Sequence, residues 1–166
     1  MSEKSRSPQF KGLYDSCSSP LTDLDCGLKC SPYNEYGVPV CCDINLVIPS
    51  AYQEEWDYLR EESDLWQPWR GSIQNEGDKI NEDLQDGQVL IQCLGYEDCQ
   101  REFRTITCRA FPFYPYLTSS GDFIGLAYYQ DFRKECWIIS NLAVVSEHYK
   151  REFFTLYKRL FNHFPE

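Results

Sequence analysis

A single methionine, two histidines and a shortage of basic charge define this chain by what it does without. Lys and Arg total 16 against 26 Asp and Glu, a formal net charge of −10 with an isoelectric point near 4.7. Such a balance makes nucleic acid and anionic lipid poor partners. No apolar run approaches the ~18 to 20 residues that span a bilayer, so no membrane-crossing segment is expected. The opening MSEKSRSPQF has no apolar centre of the kind a secretion signal carries, and a cytoplasmic location is the expectation. The two histidines, His148 and His163, both fall on one amphipathic stretch near the C-terminus and read as structural. No Ser/His/Asp or Cys/His nucleophile arrangement can be assembled from them.

What the chain has in quantity is aromatic residues and cysteine. Hydrophobic residues form 42 % of the 166, and 12 Tyr, 10 Phe and 4 Trp supply an aromatic share of 16 %. This composition folds, and the length suits one compact domain. A polar tail over residues 1–12 followed by a single domain over 13–166 is the expected organisation. Nine cysteines in a chain without an export signal point away from a disulfide framework and toward metal ligation.

The secondary-structure pattern is sparse. Pro20, Gly27, Pro32, Gly37 and Pro39 forbid a long helix in the first cysteine region and make it a set of loops. Ser50 to Gln53 has capping-box spacing, and Tyr52, Trp56 and Leu59 recur on one helical face, predicting a helix over 50–62. Between Glu54 and Asp86 eleven acidic residues face only Arg60, Arg70 and Lys79, which reads as a solvated acidic face. Gly71 to Asp83 reads as an exposed polar loop. Strands are expected at Val89 to Ile91 after the Asp86-Gly87 turn, at Phe123 to Tyr129, and at Trp137 to Ile139. From Asn141 to His163, apolar residues at helical spacing predict a long amphipathic helix closed by Pro165. The expected fold class is therefore α+β: a small, loop-rich domain organised around a cysteine-ligated metal centre, with few short strands and a long C-terminal helix.

The cysteines fall into two sets, Cys26, Cys30, Cys41 and Cys42, then Cys93, Cys99 and Cys108 followed by Cys136, with Cys17 apart. Closely spaced thiolates on turns converge on a soft metal at small entropic cost. Eight thiols exceed what one tetrahedral ion uses. The vicinal Cys41 and Cys42 either serve two centres, or one of them is a spectator, because neighbouring side chains point in different directions. Two four-thiolate zinc sites, or a 4Fe-4S cluster beside a separate site, would each employ all eight. Inert buried cysteine suits Cys17 and also Cys136, which adjoins Trp137-Ile138-Ile139. It suits the Gly-, Pro- and Asp-rich 26–42 segment badly.

Cys93-Leu94-Gly95-Tyr96-Glu97-Asp98-Cys99, then Cys108-Arg109-Ala110-Phe111-Pro112, resembles the signature of the YkgJ-type cysteine-cluster family, described as chelating zinc or iron. Cys26, Cys30 and the vicinal pair resemble the family's first motif, and Cys136 its last cysteine. Thr105 stands where the family usually has proline after the arginine at 104. Flagellin lysine-N-methylases resemble this family too, but no glycine-rich loop for a nucleotide cofactor is present here. Arg104 and Arg109 can donate hydrogen bonds to thiolates or cluster sulfur. The aromatic run Phe111 to Tyr116 would cover a centre from water or offer a groove to a peptide. The expected function is metal binding, with zinc or iron and a partner protein or peptide. The rival expectation is an iron or iron-sulfur enzyme doing redox or protein-modifying chemistry. A disulfide-stabilised binding module is the third alternative.

Overall fold

The structure, a computed structural model, describes residues 7–71, 84 and 86–163. Five α-helices and two small antiparallel sheets make up the described residues, an α+β architecture. The polar 72–83 stretch expected to be a loop lies outside the described residues, as does Pro165.

Residues 7–12, part of the expected N-terminal tail, are helical. Helix α1 spans Ser7–Asp15, because Phe10, Leu13 and Tyr14 share one helical face and bury it, Phe10 to 1 % exposure. Helix α2, Cys26–Cys30, is a single capped turn. Strand β1, Ser50–Tyr52, leads straight into α3, Gln53–Glu62. The sequence places the helix start at Ser50, but the backbone stays extended through Tyr52. There, Glu55 Oε2 accepts from the Tyr52 amide at 3.4 Å, while Ser50–Tyr52 is engaged in pairing with a neighbouring strand. Tyr14 of α1 meets Tyr58 of α3 edge-on at 5.3 Å.

Strand β2, Trp66–Pro68, and β3, Gln88–Cys93, complete a three-stranded sheet of order β1-β3-β2. Central β3 answers the strand expected at Val89 to Ile91, and its register sets Trp66 opposite Cys93. Helix α4, Ile106–Ala110, precedes the hairpin of β4, Phe113–Leu117, and β5, Phe123–Tyr128. The strand expected at Trp137 to Ile139 is absent. Those residues sit in successive turns, with the Cys136 amide bonded to Phe132 O at 2.8 Å and the Ile139 amide to Cys136 O at 3.2 Å. The segment buries Ile138 and Ile139 without a partner strand.

The long helix starts later than Asn141. A 3₁₀ turn at Leu142–Val144 comes first, and α5 runs Glu147–His163. Ser146 Oγ accepts from the amides of His148 and Tyr149, which fixes that start. Tyr149, Phe153, Leu156, Tyr157 and Leu160 form its buried face. Each fully buried side chain of this kind contributes about 1.5–3 kcal/mol. The hairpin packs on this face, with Phe113 6.1 Å from Tyr149 and Phe123 4.8 Å from Phe154. No described helix is long and apolar enough to cross a membrane.

Candidate metal centre

The loops between these elements carry the thiols. Cys26 and Cys30 begin and end α2, one helical turn apart on the same face. Asp25 caps the helix by accepting from the Leu28 amide at 3.2 Å. A Cβ at Gly27 would stand 3.0 Å from Pro39 Cγ, so glycine lets α2 lie close against the residue that opens the Val40–Cys42 3₁₀ turn. Cys93 ends β3, Cys99 closes a turn on Tyr96 O, and Cys108 lies in α4. Thr105, where the resembled family has proline, is the N-cap of α4, and its Oγ1 accepts from the Cys108 amide at 3.0 Å.

All nine cysteines are free thiols. The two distant sets meet. Cys41, Cys42, Cys93, Cys99 and Cys108 line one cavity of about 250 Å³. Cys26, Cys30, Cys41 and Cys136 line a chamber of about 30 Å³. A wider cleft of about 680 Å³ opens over Cys26, Cys42 and Cys108, with Arg101 and Arg104 on its wall. Among the described residues, however, no three Cys, His, Asp or Glu donors stand close enough together to hold one ion as they are placed.

The electrostatics follow from burial and from each thiol's neighbours. Cys41 and Cys42 have their sulfurs 4.0 Å apart. The hydrogen bond between them pulls the Cys42 thiol down, with help from Arg104 and Arg101, and together with burial pushes Cys41 up. Burial pushes the Cys108 thiol up to about 12 and Cys136 up to about 11. Cys26 and Cys93 are also raised, chiefly by burial. Thiols held protonated in this way release protons when a metal binds.

The two arginines separate. Arg104 Nε donates to Cys99 Sγ at 3.1 Å, within reach of the charges of Cys42 and Cys41. Arg109 does something else. Its nitrogens donate to the carbonyls of Arg104, Glu102, Tyr14 and Cys17, and its guanidinium lies 4.2 Å from the Tyr14 ring centroid. The sulfur it reaches is Cys17, at 3.7 Å. Cys17 is 1 % exposed, and burial raises its thiol to about 11. Arg109 is therefore a clamp between α1 and the segment ahead of α4. His148 lies exposed on α5 with Nε2 3.2 Å from Glu152 Oε1 and lines none of the three thiol-bearing cavities.

Sequence reasoning passed over Glu55. Its Oε1 accepts from Tyr14 Oη at 2.6 Å and from the Ile106 amide at 2.7 Å, joining α1, α3 and α4 behind the thiol cluster. The composition signal was misleading, because Glu55 sits inside the acidic stretch that reads as solvated. Of the aromatic run, Phe111 borders both the cleft and the small chamber, while Phe113 to Leu117 form β4.

No family model, no curated protein and no solved structure matches this chain.

Proposed function

We propose that this chain is a metal-binding protein that holds zinc, or an iron or iron-sulfur centre, through its clustered cysteines and serves partner recognition or assembly. The observation that carries this reading is the cavity that brings Cys41 and Cys42 together with Cys93, Cys99 and Cys108 from a distant part of the sequence. The donor set fits such a group in kind: it is all sulfur, enclosed, and backed by a guanidinium on Cys99. Cys26, Cys30 and Cys136 extend it across Cys41. The bound metal would cross-link the separate segments that carry the thiols. The thiols would surrender protons to it, and Arg104 would offset negative charge on sulfur.

The similarity of Cys93 to Pro112 to the YkgJ-type cluster family supports the same reading. Nine cysteines with none paired suit a reducing compartment, which supports a cytoplasmic location. A partner role draws support from Leu24, Leu28, Tyr33 and Tyr36, large apolar side chains left exposed along the segment that carries Cys26 and Cys30.

A second reading, an iron or iron-sulfur enzyme, is favoured by one feature: the 680 Å³ cleft reaches Cys42 and Cys108 from solvent past Arg101 and Arg104. A catalytic centre needs such an approach, whereas a purely structural one does not.

Elemental analysis of the full chain purified without oxygen tests both. Zinc at one or two per chain supports the binding role, and iron with acid-labile sulfide supports the enzyme. A chain that takes up neither metal after being offered both contradicts the proposal.

A further inference from the structure

The small chamber and the larger cavity do not share their walls equally. Cys26, Cys30, Cys41 and Cys136 border the chamber, and Cys42 does not. Cys42, Cys93, Cys99 and Cys108 border the cavity, which Cys41 also touches. We infer that the eight thiols divide four and four between two metal sites, with the vicinal pair as the boundary. Cys26, Cys30, Cys41 and Cys136 hold a single ion in the chamber. Cys42, Cys93, Cys99 and Cys108 form a second site beside Arg104. This division rests on the metal-binding reading above.

Three observations carry it. The first is size: a chamber of about 30 Å³ compares with the ~10–15 Å³ that one water needs, so it admits one ion and not a multinuclear cluster. The cavity, at about 250 Å³, is several times larger. The second is proximity. Cys136 faces the same small space as Cys30 and Cys26, while Cys93 shares the larger one with Cys42 and Cys99. Cys41 borders both, with its sulfur 4.0 Å from that of Cys42, as a boundary residue must. The third is surroundings. Apolar Phe111, Trp137 and Ile138 wall the chamber, whereas Arg104 lines the cavity and the solvent-facing cleft.

Chamber ligands also come from turns that can close on an ion. Cys26 and Cys30 lie on a five-residue helix, Cys41 in a 3₁₀ turn, and Cys136 in a turn tethered to Phe132. Lys29 of that helix stands 5.9 Å from the Trp137 ring centroid, tying the first and last of these segments together. Four thiolates around one ion leave no coordination position open, which is the structural kind of site, and its metal should be the later of the two to leave.

The test uses the full chain reconstituted with zinc and treated with a chelator in stages. At each stage metal per chain is measured, and exposed thiols are alkylated and located by mass spectrometry. The first equivalent lost should unmask Cys42, Cys93, Cys99 and Cys108 as a group. The second should unmask Cys26, Cys30, Cys41 and Cys136. As a second measurement, Cys136→Ser should retain one equivalent with the cavity thiols still protected. Unmasking of Cys26 and Cys30 together with Cys93 and Cys99 would overturn the division, as would full zinc content in Cys136→Ser. A chain that binds no zinc at all fails the underlying reading instead. A chain that binds zinc but protects all eight thiols through one equivalent fails only the division.

Discussion

Arg104 Nε and Cys99 Sγ lie 3.1 Å apart, the one guanidinium-to-sulfur hydrogen bond shown within the thiol cluster of the described residues. Such a donor orients its sulfur and offsets charge on it. Arg104→Ala is expected to weaken zinc binding about 10- to 100-fold, with Arg104→Lys intermediate because it keeps the charge and loses the planar donor. Competition against a chromophoric chelator measures this, and equal affinities in all three proteins would count against a role for Arg104 at the centre.

Arg109 gives the contrasting expectation. Its hydrogen bonds run to backbone carbonyls of α1 and of the segment ahead of α4, and hydrogen bonds to a charged group are worth about 1.5–3 kcal/mol each when half-buried geometry is good. Arg109→Met should lower unfolding stability by about 2–4 kcal/mol while folded protein keeps its full metal content. Urea denaturation followed by metal analysis of the folded fraction separates the two effects.

Cys17 and Cys108 are both enclosed thiols, but only Cys108 faces the cavity shared with Cys93 and Cys99. Cys108→Ser is expected to lose metal and, with it, the stability that binding couples to folding. Cys17→Ser should bind metal as the parent does and lose less than about 2 kcal/mol. Identical metal content and melting temperatures in the two variants would contradict the assignment.

Glu55 predicts a pH dependence of unusual sign. Burial outweighs the donors from Tyr14, Ile106 and Tyr52 and raises its carboxyl above the ordinary value. A raised folded-state value means that its contribution to stability is complete at pH below the unfolded carboxyl's, about 4.3. That contribution is lost as pH rises through the folded value. In Glu55→Gln the amide oxygen can still accept from Tyr14 and Ile106, but the titration is gone. The parent's stability advantage over Glu55→Gln should therefore be greatest in acid and shrink toward neutral pH, as read from denaturation curves at matched pH. A widening advantage would show that the carboxylate is favoured by folding.

These expectations draw on parts of the molecule that were unequally legible in the sequence. The strand at Val89 to Ile91 could be read because β-branched and apolar residues follow a turn signal, and the structure gives it the central place in its sheet. Trp137 to Ile139 misled because three apolar residues bury equally well in a turn. Helix α1 carried a legible signal in Phe10, Leu13 and Tyr14, obscured by the Ser- and Lys-rich residues before it. At the site, spacing picked out eight cysteines that the fold draws onto adjoining cavities. The different duties of Arg104 and Arg109 could not be read, because each depends on what the fold sets beside it, the Cys99 sulfur for Arg104 and backbone carbonyls for Arg109.

Cys136 borders the same chamber as Cys26 and Cys30, although most of the polypeptide lies between them. Cys136 must therefore leave the ribosome before this chamber can close, and Cys26 and Cys30 have no partner from that segment while the intervening residues are being made.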